Sequence, residues 1–472
     1  MKVKDIRKIK IAEDTDLFDM DNINKLLELH ITERSRIKNL KKYYDNVNKV
    51  NDRQKPDDKP NNKLSHNYAA YITDNYVGYM VGIPITYKSQ NDELLESLNN
   101  IFTYNDEVDH NTSLAQDQSI CGYAYEMLYT DEAGDLRFSH VDTEDMIVCY
   151  SNTLEAAEIG AIRIIENNDE TLEVEVIDKD KKVTYIGSNG KVDKMKEGSE
   201  EAHDLGFVPV CTYENNNRRV GDFEKVLSLI DAYDQSESDT ANDFEYFTDA
   251  LLVISGMEVQ PQDEEGNPID LKDNRIINFM DKEGDAKYLI KAINDTALEN
   301  YKKRLNRDIH KFANVIDLSD ENFAANLSGV AIQFKLTGME NKTSIKVNKF
   351  RKGLMRRIEI ATRYLGILNK ASIDIEDLGL YAVITPVFTR NVPSNAKELA
   401  EIAKSLYGIL SDETVVGMIP QVENVQEEME RIKKQKDEAA NALDEYSFDN
   451  DNLEEESENG EATKESKGNN NR

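Results

Sequence analysis

The alternating three- and four-residue spacing between Phe223 and Ile254 leaves a chain of this kind little choice of fold. Positions 223, 226, 230, 233, 237, 240, 244, 247, 251 and 254 follow one another at that spacing, and eight are apolar: Phe223, Val226, Ile230, Tyr233, Phe244, Phe247, Leu251 and Ile254. A stripe that returns once per helical turn predicts one long helix, about 45 Å from end to end at 1.5 Å per residue. Ser236, Ser238, Thr240 and Ala241 keep its middle slim. Between Asp222 and Asp249 it holds nine acidic residues and one base, Lys225. One face must therefore pack while another carries negative charge.

Residues 256–293 interrupt this pattern, with Gly256, Pro261, Gly266, Pro268 and Gly284 around the strand-like pieces MEVQ, RIINFM and AKYLIKA. Helical spacing returns over 295–315, where Leu298, Tyr301, Leu305, Ile309 and Phe312 share a face and Asp295 or Thr296 is the expected N-cap. An antiparallel helix pair with a small β-module at its tip satisfies that order economically.

A second feature runs against the composition. From Lys335 to Arg363 there are nine Lys or Arg and two Glu in a chain whose net charge is −33. On a helical wheel Phe350, Leu354, Ile358, Ala361, Leu365 and Leu368 form an apolar face, and Lys342, Lys349, Lys352, Arg356 and Arg363 gather beside it. This basic side has two readings: direct phosphate contact, or a cationic face that meets an acidic neighbour within the chain or on another copy. The loop-like VIDLSDENFAANLSG precedes it.

Elsewhere, Asn22–Tyr44 reads as a helix followed by an exposed linker around Pro56 and Pro60. HNYAAYITDNYVGYMVGIPITY reads as a helix ended by Gly82 and Pro84, with ITY as a strand. Helical stretches at 91–104 and 110–120 lead into YAYEMLYT, DLRFSHV, DMIVCYS, AIRIIE, LEVEVID and KKVTYIG, so 66–220 reads as one mixed α+β domain. After the basic helix come the strand LYAVITPVFTRNVP and the helices SNAKELAEIAKSLYG, SDETVVGMIP and VENVQEEMERIKKQKDEAANAL, with Ser394 and Ser411 as N-caps. Residues 437–472 carry −9 of the net charge and few large apolar side chains, which predicts disorder; the rest of the chain still carries −24.

The excess of acid argues against tight general DNA binding, which draws its affinity from Lys and Arg at phosphates. No apolar run reaches the length of a membrane span, and MKVKDIRKIKIAEDTD lacks the apolar core of a signal peptide, so the chain is expected to stay in the cytoplasm. Cys121, Cys149 and Cys211 are far apart and predict small buried residues, not a disulfide framework or zinc ribbon. His30, His66, His110, His140, His203 and His310 show no ligand spacing, and neither GxxxxGK[ST] nor GxGxxG occurs, which disfavours a nucleotide-driven motor. HVDTED at 140–145 gathers three carboxylates beside a histidine, an arrangement that could in principle hold a metal but also arises by chance in a chain with 91 acids.

The order of HNYAAYITDNYVGYMVGIPITY, RRVGDFEKVLSLIDAYDQSESDTAND, RLNRDIHKFANV and DENFAANLSGVAIQFKLTGMENKTSIKVNKFRKGLMRR resembles the portal, or head-to-tail connector, proteins of long-tailed bacteriophages of Gram-positive hosts across residues 60–430. The resemblance implies an α+β portal architecture and no enzyme activity. It implies a wing from 1–220 with 316–390, stem helices at 221–252 and 295–315, a β-containing clip at 253–294, a crown at 391–445 and a disordered acidic tail at 446–472. It also implies a homo-oligomeric ring at one capsid vertex, of twelve subunits in the virion or thirteen in isolation, assembled in the host cytoplasm. Double-stranded DNA would pass through it. Terminase, a head-completion or adaptor protein, and the major capsid and scaffolding proteins would be its partners, with no membrane and no cofactor.

Residue by residue, the resemblance places a tunnel loop near Asp317–Val330, including Asn326, Leu327, Ser328, Gly329 and Val330, with the turn at Thr337–Thr343 as the alternative. It points Asp234, Glu237, Asp239 and Asp243 of the first stem helix at the channel, where acids would keep a sliding duplex centred. It makes Lys342, Lys346, Lys349, Lys352, Arg356 and Arg363 either a contact between subunits or a weak ring of cations near DNA. Two rivals remain: a metal-dependent cytosolic hydrolase or nuclease using HVDTED, and a coiled-coil scaffold built on 223–254.

Overall fold

The computed structural model describes residues 6–248 except 58, 168–170 and 204, then 251–255, 285–289, 295–318, 329–368, 379–392, 396–417 and short pieces between 419 and 436. The chain forms two compact units, Met1–Asn391 and Val392–Arg472.

The first unit opens with β1 (Ile9–Ile11), α1 (Met20–Tyr44), α2 (Tyr68–Val81), β2 (Thr86–Lys88), α3 (Asp92–Tyr104) and α4 (Glu107–Cys121). Strands β3 (Tyr123–Thr130), β4 (Leu136–Val141), β5 (Met146–Ser151), β6 (Glu158–Glu166), β7 (Thr171–Ile177), β8 (Lys181–Ser188), β9 (Lys191–Met195), β10 (Glu201–Ala202) and β11 (Val210–Glu214) follow. Next come α5 (Leu227–Thr248), β12 (Leu251–Ser255), β13 (Asp285–Leu289), α6 (Asp295–Ala313), α7 (Gly329–Ile367) and β14 (Thr385–Val387). The second unit contains α8 (Ala396–Leu406) and α9 (Asp412–Val416), the latter capped by the Ser411 hydroxyl, which accepts from the Thr414 amide.

Two sheets divide most of the strands. One runs β1-β5-β6-β7-β8-β10 with β9 on β8, and the other β11-β3-β4. In β7 the buried Leu172, Val174 and Val176 alternate with Glu173 and Glu175, so the chain turns its apolar face to α1. Ile23, Leu26 and Leu27 of α1 join Ile147, Ile162, Val174, Val176 and Tyr185 in that core. A second core joins Leu94, Leu98 and Phe102 of α3 and Leu114 of α4 to Leu128, Phe138 and Tyr213 of the smaller sheet and to Phe350, Leu354, Ile358 and Leu365 of α7. Gly353 makes that approach possible, because a Cβ there would stand 2.5 Å from the Tyr213 ring. Gly122, at φ +90°, turns α4 into β3 with its α-carbon against the Arg219 backbone.

Most elements before α5 lie where their patterns predict them. The long helix does not: α5 ends at Thr248, and Leu251 and Ile254 belong to a strand that pairs antiparallel with β13. Two-residue and three-to-four-residue periods overlap over so short an apolar run, and the β-partner decides between them. The basic helix begins thirteen residues before Lys342 and stops at Ile367, leaving Leu368 beyond its end and 41% exposed. Asp295 is the first residue of α6, not its cap. Of LYAVITPVFTRNVP, Thr385–Val387 alone forms a strand among the described residues. Ile9–Ile11, too short to show a period, pairs parallel to β5. MEVQ, RIINFM, Ser394 and the 446–472 tail lie outside the described residues.

Candidate functional site

The charged helices come together where α5 begins. Asp222 is fully buried there, with Lys342 Nζ 3.1 Å from one oxygen, Lys346 Nζ on the other, and the Ser119 hydroxyl donating at 2.6 Å. Burial opposes its charged form, yet the two ammoniums outweigh that and hold the carboxyl well below the usual range. Lys346, 1% exposed, has its own value lowered by burial despite Asp222. Lys342 also donates to the Ala313 carbonyl at 3.2 Å, so one side chain ties α7 to the start of α5 and the end of α6.

One turn further on, Lys349 lies 3.2 Å from Glu214, which also accepts from the buried Arg219. Burial works against ionised Glu214, but Arg219, Lys8 and Lys349 draw it down to about 2. Arg219 itself adopts φ 51° and packs over the Tyr123 and Tyr150 rings. Arg356 pairs with Glu359 at 2.6 Å and approaches Glu158 at 3.6 Å. Arg363 lies over the Phe207 ring, and Lys352 is exposed. Arg357, absent from the sequence-based set, is the most deeply placed cation: it reaches Glu126 at 2.7 Å, Glu107 at 2.9 Å and Asn111 at 3.0 Å. Burial again resists the charge on Glu126, and Arg357 with His110 and Tyr213 brings it to about 2.

Most of the predicted basic face is thus spent inside the chain. Lys346 has no surface with which to meet DNA or a second copy, and Lys342, Lys349 and Arg356 already face carboxylates of this subunit. The run of bases follows from a run of buried acids, a relation that needs the tertiary partners to be seen.

The acids of α5 are treated similarly. Asp234 is buried, accepting from Asn48 Nδ2 at 2.6 Å and the His66 amide at 2.9 Å, with His66 Nδ1 also at 2.9 Å. It faces the linker, not a channel. Glu237 takes Lys302 of α6 at 2.8 Å. Asp239 meets Arg53 and, at 3.8 Å, Lys55. Asn62 donates to Asn242 and Glu245, and Leu64 to Ser238. The polar segment 48–66 therefore lies along α5 and compensates its charge; Asp243 is partly exposed. Asn326, Leu327 and Ser328 lie outside the described residues, whereas Gly329 and Val330 open α7 in place of a loop.

The α5–α6 pair is antiparallel, since Asp222 meets the Ala313 end and Glu237 meets Lys302, and the β12–β13 ladder closes its far end. HVDTED faces α1 and α4: His140 lies 3.0 Å from Asp117, Asp142 2.9 Å from Lys41, and Asp145 2.7 Å from Arg34. A cleft of about 850 Å³ beside it is bordered by Arg34, His140, Asp142 and Asp145 of these pairs. Among the described residues no three His, Cys, Asp or Glu are grouped to hold a metal, and no helix is long and apolar enough to cross a membrane. The three cysteines are buried and unpaired.

A helix pair closed by a small ladder is rooted in a charge-locked α+β body. The model of the family "Phage portal protein, SPP1 Gp6-like" matches residues 23–442, and the chain belongs to that family. The portal protein of Bacillus phage SPP1 is 26% identical over 418 residues, 84% of this chain and 81% of the relative. That of Clostridium phage phiCD119 is 25% identical over 468 residues, 91% of this chain and 99% of the relative. Among solved structures, the neck of a native GTA particle computed with C12 symmetry is similar at TM-score 0.40 and 10% identity, covering 74% of this chain and 88% of that one. The chain is a structural component of a phage particle, not an enzyme, and the hydrolase and scaffold readings have no support.

Proposed function

We propose that the chain closes into a ring of identical subunits, twelve in the particle and thirteen when assembled alone, and that double-stranded DNA enters and leaves the capsid through its channel. In this reading α5 and α6 are the stem and 253–294 is the clip, which receives terminase during packaging and a head-completion protein afterwards. Residues 1–220 with 316–390 make the wing. Residues 391–445 make a crown near the major capsid and scaffolding proteins, and the ring assembles in the host cytoplasm. The supporting observation is the antiparallel pair tipped by a β-ladder in a chain of the portal family. A ring is head-to-tail, so each subunit needs two different complementary surfaces.

Negative-stain electron microscopy of the purified protein at about 0.15 M salt tests this. Rings with a hole wide enough for a duplex are expected. Monomers or rods that persist across concentration and salt would overturn the reading.

A further inference from the structure

The cations of α7 are largely consumed, yet α6 presents a set that is not. Lys303, Arg304, Arg307 and Lys311 are all exposed, and among the described residues none has a carboxylate within ion-pair distance. At 100° per residue they fall within about 100° of arc and span about 12 Å of helix. The opposite side of α6, with Lys302, Leu305, Ile309, His310 and Ala313, is buried, and Asn306 and the Ala313 carbonyl there accept from Tyr68 and Tyr76 of α2. The stripe therefore points away from the wing. In a chain of charge −33 that elsewhere places acids against Lys302, Lys342, Lys346, Lys349, Arg219 and Arg357, four adjoining cations that close no ion pair among the described residues, even with Glu299 and Asp308 one helical turn away, stand out as a surface open to an external anion.

The chemistry of the stripe selects the anion. The exposed apolar residues of α6, Tyr301 and Phe312, flank one edge of the stripe, where Lys311 Nζ lies 5.6 Å over the Phe312 ring, so apolar surface borders the cations without forming the centre on which a subunit contact is built. Lys and Arg along one line suit a phosphate backbone that must be touched and released. We infer that Lys303, Arg304, Arg307 and Lys311 form the DNA-contacting surface of the stem, and that α6, not the acidic α5, faces the duplex. This rests on the channel reading above.

The test uses full-length rings and a labelled linear duplex of mixed sequence, with binding measured against salt. The K303Q/R304Q/R307Q/K311Q variant is compared with wild type and with K25Q/K42Q/K191Q/K194Q, which removes four exposed lysines elsewhere. Ring dimensions are checked for each. The stripe variant should keep its ring, bind linear duplex at least tenfold more weakly at low salt and show a shallower salt dependence, by about 0.9 in log–log slope for each phosphate it no longer neutralises; the control should stay within twofold. Closed circular duplex cannot thread a ring, so its binding should not distinguish the variants. Unchanged binding of linear duplex overturns the inference, as does an equal fall in affinity for closed circles, which would put the stripe outside the channel. Loss of the ring by the stripe variant alone would also overturn it, assigning the stripe to a neighbouring subunit. Absence of rings from wild type would instead defeat the channel reading itself.

Discussion

Asp222 shows how much one residue can fix. Its carboxylate answers two ammoniums, and among the described residues it is the one hydrogen-bond acceptor of Lys346. Replacing it by Asn keeps the shape and removes the charge, leaving Lys346 buried without compensation. Asp222→Asn is expected to cost about 3 to 5 kcal/mol, read as a lowered midpoint in denaturant unfolding; a change under about 1 kcal/mol would mean that Lys346 sits there neutral. Glu126 makes a prediction in pH. Its carboxyl titrates near 2 in the folded chain against an ordinary 4.5, so its stabilisation is complete above 4.5 and disappears as pH falls toward 2. Circular dichroism across that window should show wild type losing stability, and Glu126→Gln should start lower at neutral pH and change less. At this scale the sequence is least informative: the helical wheel sets Arg357 beside Phe350 and Lys352 on the far side, but it shows nothing of the Glu126, Glu107 and Asn111 partners that let a cation lie there.

At the scale of elements, the helix–module–helix order was legible because helical spacing over twenty residues outweighs local ambiguity. The end of α5 was not, since the unbroken apolar run 251–254 suits a buried helix or a strand alike and its partner in β13 lies more than thirty residues away. The partners of the α5 acids are hidden for a related reason. Asp234, Glu237 and Asp239 look like a free acidic face until the 48–66 segment is laid along them. That cover predicts a graded response. Asp234→Ala, at a buried site, should destabilise by about 2 to 4 kcal/mol and hasten limited proteolysis between residues 53 and 63. Asp239→Ala, whose side chain is 47% exposed, should cost under about 1 kcal/mol and leave cleavage unchanged. Equal effects would mean that the segment is not held by the buried carboxylate.

For the whole molecule, the net charge of −33 is compensated unevenly: Asp234, Glu237 and Asp239 of α5 have partners within the chain, as do Asp222, Glu126 and Glu214 of the core. Much of the acid in the core is neutralised pair by pair, so the uncompensated excess lies toward the surface, where copies repel one another. Screening should therefore favour assembly. In sedimentation velocity the oligomer is expected to form at lower protein concentration as salt rises from about 0.02 to 0.3 M, over which the screening length shortens severalfold. Assembly that weakens with salt would show that opposite charges across the contact dominate.

The pin at Asp222 also sets the mechanics of α7, a rod about 58 Å long by its 39 residues. Sliding it by one turn would strand a buried anion and a buried cation together, so axial travel is barred by the same pair that anchors it. Whatever displacement reaches its leading end must be absorbed ahead of Lys342, where Gly338 softens the helix and residues 333–338 touch little of their own subunit. The helix is a lever whose fulcrum is fixed by charge at Asp222.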